Sequence, residues 1–135
     1  MQEGRAKVGV AIFMANELAV YIKEWKSISE RMLVVRLKIS EEWVCFVQVY
    51  APTEDSLVEE KEDFFDTLQE TVSSLQCKGR VIIMGDFNAR VRNRRGEWSE
   101  VIEGCGEETH NDNGRRLLEF CASKWDDGIQ YLLPA

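Results

Sequence analysis

The hydrophobic period of the chain changes twice between residues 31 and 85, and this restricts the fold more than any other feature. Arg31 to Ile39 sets Leu33, Val35, Leu37 and Ile39 against Val34, Arg36 and Lys38. That is the period-two pattern of a half-buried strand. Trp43 to Tyr50 is dense in Val, Phe, Trp and Tyr and predicts a second strand, with Glu41-Glu42 as a tight antiparallel connection. Pro52 cannot donate to a ladder and breaks this run. The period then becomes helical. Ser56 fits an N-cap with Glu59 as capping-box partner, and Phe64, Leu68, Val72 and Leu75, widened by Phe65, form one apolar face. The acidic first turn suits the positive end of the helix dipole, and Lys78-Gly79 ends the helix. Arg80-Val81-Ile82-Ile83-Met84 follows as a continuous apolar run closed by Gly85, the mark of a strand covered on both faces. Strand, helix and buried strand in that order make the crossover unit of an α/β fold.

Outside this unit the signals are shorter. Val8 to Met14 and Glu17 to Ile22 read as strands. A structured element so near the first residue fits a domain with upstream sequence removed. Residues 90–110 are polar and Gly-containing, hence a long loop. Asn111 or Asn113 can cap a last helix, Gly114 to Ala122, that turns Leu117, Leu118 and Cys121 inward. Lys124 to Ala135 predicts no clear element. The expected organisation is therefore one domain over residues 1–123 and a divergent tail over 124–135.

The net charge of −7 argues against a generic nucleic-acid binder, since affinity for DNA comes largely from neutralising phosphates. The distribution qualifies this. Arg90, Arg92, Arg94 and Arg95 place four of the 17 basic residues in six positions, while acid gathers at Glu54-Asp55 and at Glu59 to Asp63. Such a chain can touch DNA through a limited face. Cys45, Cys77, Cys105 and Cys121 lack C-x-x-C spacing and His110 is the sole histidine, so neither zinc nor a disulfide framework is expected. No apolar run approaches the roughly 18–20 residues that span a bilayer, and the first residues lack a signal-peptide core. A soluble intracellular protein is the expectation.

Three features carry chemistry. Asp86 and Asn88 in Gly85-Asp86-Phe87-Asn88-Ala89 stand two apart at the end of the buried strand, so in extended geometry their side chains share one side. Ligands usually bind at that edge of an α/β sheet. An Asp there can orient or deprotonate water, and an Asn can donate to a phosphate oxygen. Gly, Asp and Asn also favour turns, so a plain strand-end turn stays open. Tyr50, at the end of its strand, can hydrogen-bond a phosphate or a developing oxyanion, or serve as an ordinary interface tyrosine. The arginines at 90, 92, 94 and 95 match phosphate geometry, or form a solvated basic loop.

The run Val81 to Val91, with Gly-Asp-Phe-Asn-Ala at its centre, resembles the motif of the exonuclease–endonuclease–phosphatase family. Val47 to Thr53, with Val-Tyr-Ala-Pro, resembles that family's preceding strand. Asn111-Asp112-Asn113-Gly114 with Leu117, Leu118 and Phe120 is similar to the Asn-x-Asn-Gly-x-x-Leu segment of endonuclease domains in non-LTR retrotransposons of the RTE or BovB-like kind. The resemblance runs from about Val8 to Cys121. It implies a four-layer α/β sandwich, two packed mixed sheets flanked by helices, and a Mg²⁺- or Mn²⁺-dependent endonuclease that nicks DNA in the nucleus. By the same resemblance Asp86 would hold metal and position or deprotonate the water, Asn88 would hold the scissile phosphate and the water, and Tyr50 would contact the phosphate. The family also has an Asn strand and a metal-binding Glu strand near its start, and an Asp and a Ser-Asp-His motif near its end. None is found here, and His110 has no Asp directly before it. A sandwich truncated at both ends is the expectation, weak or inactive in cleavage, its open sheet edges covered by a second copy or another partner. A non-catalytic interaction or DNA-binding module is the alternative.

Overall fold

The computed structural model describes residues 8–76, 78–90, 111–124 and 130–131. The elements are α1 (Asn16–Ala19), β1 (Ile22–Ser29), β2 (Met32–Ile39), β3 (Glu42–Tyr50), α2 (Val58–Gln76), β4 (Arg80–Asp86), α3 (Asp112–Lys124) and β5 (Gln130–Tyr131). The fold is mixed α/β. The strands form one sheet in the order β1-β2-β3-β4-β5, antiparallel from β1 to β3 and parallel from β3 to β5. β5 is a two-residue pairing with Ile82 and Ile83, in a stretch for which the sequence predicts no element.

The β2–β3 turn is Ser40-Glu41, one residue earlier than the Glu41-Glu42 expected from sequence. Both residues have positive φ, 50° and 68°, as a primed two-residue hairpin turn requires. α2 then carries the chain across to β4, which lies parallel to β3, as the change of period predicts. Its start differs from expectation: Ser56 closes a turn with Thr53 (N–H to carbonyl 3.0 Å, hydroxyl to hydroxyl 3.2 Å), and the helix begins at Val58.

The core lies between the sheet and the two long helices. Met32, Val34, Cys45, Val47, Val49, Val81 and Ile83 meet Phe64, Leu68, Val72 and Leu75 of α2 and Leu117, Phe120 and Cys121 of α3. The register puts the alternate residues Leu33, Val35, Leu37, Val44, Phe46, Ile82 and Met84 on the opposite face. Among the described residues there is one sheet.

The N-terminal expectations need correction. Val8 to Met14 is not a strand: it has no regular element, although Val8, Val10, Ile12 and Met14 are half-buried and the residues between them are exposed. Apolar alternation gives a strand only when a neighbour completes the ladder. Glu17 to Ile22 is not a strand either. Ala15 accepts from the amides of Leu18 and Ala19, both at 3.0 Å, so a single helical turn forms and β1 starts only at Ile22.

Candidate active site

β3 and β4 end side by side, with Tyr50 in register with Asp86. Two bonds lock these ends together. The Ala51 amide donates to the Asp86 carbonyl at 2.8 Å, and the Asn88 side-chain amide donates to the Ala51 carbonyl at 2.9 Å. Gly85 makes the approach possible. Its φ is +137°, and a Cβ there would overlap the Val49 carbonyl. The next turn is closed by Asp86, whose Oδ1 accepts from the Asn88 amide at 2.8 Å. Asn88 takes the left-handed conformation, φ 47°, which Asn tolerates better than most residues. Phe87, 4% exposed, points into the core and anchors the loop.

The start of α3 grips this loop. Asn111 caps the helix, its Oδ1 accepting from the Gly114 amide at 2.8 Å. The same oxygen accepts from the Arg90 amide at 2.9 Å, and the Asn111 backbone amide donates to the Arg90 carbonyl at 3.1 Å. The Asn111 side-chain amide donates to the Asn88 carbonyl at 3.1 Å. Asn113, fully buried, donates to the Pro52 carbonyl at 2.8 Å and more weakly to the Asn88 carbonyl at 3.4 Å. A Cβ at Gly114 would overlap the Arg90 carbonyl, so only glycine lets helix and loop come this close.

Glu54 completes the frame. Its carboxylate accepts from the Asp112 and Asn113 amides at 3.1 and 3.3 Å, at the positive end of α3. Lys61, only 3% exposed, stands 3.5 Å from Glu54 and 3.6 Å from Asp112. Hydrogen bonds from Arg116 and Arg115 hold the Asp112 carboxyl well down, at about 2.

An open cleft of about 490 Å³ results, lined by Glu54, Asp86, Asn88, Ala89, Arg90 and Asn111. Of the residues singled out in the sequence, Asp86, Asn88 and Arg90 therefore meet in one place. Tyr50 does not line the cleft. Its ring lies under the Arg31 guanidinium at 5.7 Å, and Arg31 also donates to the Tyr50 carbonyl at 3.2 Å. Arg92, Arg94 and Arg95 lie outside the described residues, as do His110, Cys77 and Cys105. A second cleft, about 290 Å³, is lined by Glu30, Glu60 and Asp63 against the single cation Arg31, so its net charge disfavours phosphate. Glu54, Lys61, Asn111 and Asn113 were given no site role from sequence. The signal for the asparagines was present in the Asn-x-Asn-Gly spacing. Glu54 and Lys61 look like ordinary surface charges until the fold brings them to α3.

The protein is thus a mixed α/β sheet with a polar cleft at the C-terminal ends of two parallel strands. Two curated relatives, both named craniofacial development protein 2, match the chain. The Bos taurus protein is 29% identical over 120 residues, 89% of this chain and 20% of the relative. The Tragulus javanicus protein is 27% identical over 120 residues, 89% of this chain and 21% of the relative. The chain thus spans about a fifth of the length of these relatives. No family model matches it. No solved structure matches it either.

Proposed function

We propose that the cleft is a phosphodiester site, and that the chain carries part of a divalent-metal-dependent DNA endonuclease of the exonuclease–endonuclease–phosphatase kind. The observation that supports this most is the meeting of Asp86, Asn88 and Arg90 in one cleft at the C-terminal end of β4. In this reading Asp86 orients or deprotonates the attacking water. Asn88 presents its side-chain oxygen to that water, because its amide is directed at Ala51. Arg90, joined by Arg92, Arg94 and Arg95, contacts the DNA backbone. Tyr50, in register with Asp86 at the strand ends, would contact the phosphate. The apolar second face of the sheet, from Leu33 to Met84, suits the second sheet of a four-layer sandwich.

The cleft residues set terms for a metal. Glu54 is committed to Lys61 and to the α3 amides, which leaves Asp86 as the one cleft carboxylate not so committed among the described residues. Mg²⁺ is commonly held by one or two carboxylates completed by phosphates and water. Asp86 therefore fits a cation that arrives with a phosphate. Such an ion would neutralise phosphate charge and lower the pKa of an attacking water. Cleavage by this chain is then weak, since catalytic groups acting together lose most of their effect when members are missing.

Binding tests this directly. Mn²⁺ should broaden the amide resonances of Asp86 and Asn88 strongly in the presence of a DNA duplex and weakly in its absence. Equal broadening in both, or none in either, would refute the joint arrival of metal and phosphate.

The poverty of carboxylates also favours a second reading, a non-catalytic DNA-binding or interaction module. It predicts duplex binding that is independent of metal.

A further inference from the structure

The Asn111-x-Asn113-Gly114 segment has a role that no part of the functional reading assigns. Its three contacts converge on the backbone of the loop that carries Asp86 and Asn88. Asn111 holds the Asn88 carbonyl with its amide and the Arg90 amide with its oxygen, so one side chain spans the left-handed turn. Asn113 ties the Asn88 carbonyl to the Pro52 carbonyl, linking the exits of β4 and β3. Gly114 removes the side chain that would hold α3 away. A left-handed residue other than glycine costs energy unless its surroundings hold it: here Asp86 Oδ1 and the Ala51 carbonyl hold the Asn88 amides, and the Asn111 and Asn113 side chains hold its carbonyl.

We propose that Asn111 and Asn113 are positioning residues: they hold Asn88 in its left-handed turn and so keep the Asp86 carboxylate and the Asn88 side chain on the cleft. The proposal rests on the phosphodiester reading for its functional meaning, but not for its geometry.

The alternative is that the segment only stabilises the start of α3. Asn111→Asp separates the two. Aspartate keeps an oxygen for the Gly114 and Arg90 amides and caps a helix as well as asparagine does. It lacks the amide that reaches the Asn88 carbonyl. Melting and proton NMR on the full chain decide between them. Wild type should show the strong amide-to-Hα cross-relaxation within Asn88 that marks a left-handed residue. In Asn111→Asp that signal should be lost while the melting temperature falls by less than it does in Asn111→Ala. In Asn111→Ala both should fall. An unchanged Asn88 signal in Asn111→Asp would overturn the proposal, and so would an unchanged Asn88 signal in Asn111→Ala. DNA nicking is scored separately. A lost Asn88 signal in the variants, with no nicking even by wild type, would uphold the clamp and refute the phosphodiester reading.

Discussion

Single residues at the start of α3 show how charge is used near the cleft. Asp112 meets three cations there, Arg115 at 2.8 Å, Arg116 at 2.9 Å and Lys61 at 3.6 Å. Arg116 and Arg115 lower its pKa from 3.8 to about 2. A carboxylate depressed on folding contributes stability that is fully present above its unfolded value and is lost as pH falls through its folded value. Asp112→Asn should therefore melt below wild type at neutral pH. The gap should close between pH 3.8 and about 2 in thermal melts across that range. It should also narrow in salt, since the Asp112 side chain is 31% exposed. A gap that stays constant down to pH 2 would mean that packing, not charge, is what the substitution disturbs.

At the scale of elements, α2 and α3 are tied at both ends by buried lysines. Lys61 leaves α2 for the start of α3, and Lys124 leaves α3 for the end of α2. α2 has no basic residue in its own last turn, so the Lys124 ammonium, 5% exposed and 3.0 Å from the Ser73 hydroxyl, supplies charge to the negative end of that helix. Lys124→Ala should cost about 1–3 kcal/mol in urea unfolding, from lost stem packing and an unpaired Ser73. Lys124→Met should recover the packing part. Equal losses in both would assign the whole effect to the hydrogen bond.

Which elements could be read in advance follows from where they sit. β2, β3, α2 and β4 build the core, so their apolar spacing records the face they bury. β1 was missed because it is an edge strand: Lys23, Glu24, Trp25, Lys26 and Ser27 are all exposed, so no apolar period survives, and such charge is how sheets protect an edge. Asn111 is one of the two caps the sequence offers for α3 and does cap it, but the helix runs from Asp112 to Lys124 rather than from Gly114 to Ala122, since Asp112 and Asn113 face polar partners that composition does not reveal. In the cleft, Asp86, Asn88 and Arg90 were legible because the motif keeps them within five residues. Glu54, 58 residues before its partner Asp112 in the chain, could be found only once the fold had placed it.

Among the described residues, one sheet, the two long helices and a cleft at the strand ends make a frame whose polar contacts concentrate where β3, β4 and α3 meet. The frame explains the Gly-Asp-Phe-Asn loop, the Val-Tyr-Ala-Pro strand end and the Asn-x-Asn-Gly segment as parts of one assembly rather than three separate motifs. The proposed function has this assembly act on DNA phosphodiesters with a divalent cation. Incubating the purified chain with supercoiled plasmid and Mg²⁺, beside an EDTA control and the Asp86→Ala variant, tests it most directly. Slow conversion to open circle by wild type alone, and only with metal, is the expected result. Equal conversion by Asp86→Ala, or none by a folded wild-type sample, would contradict it.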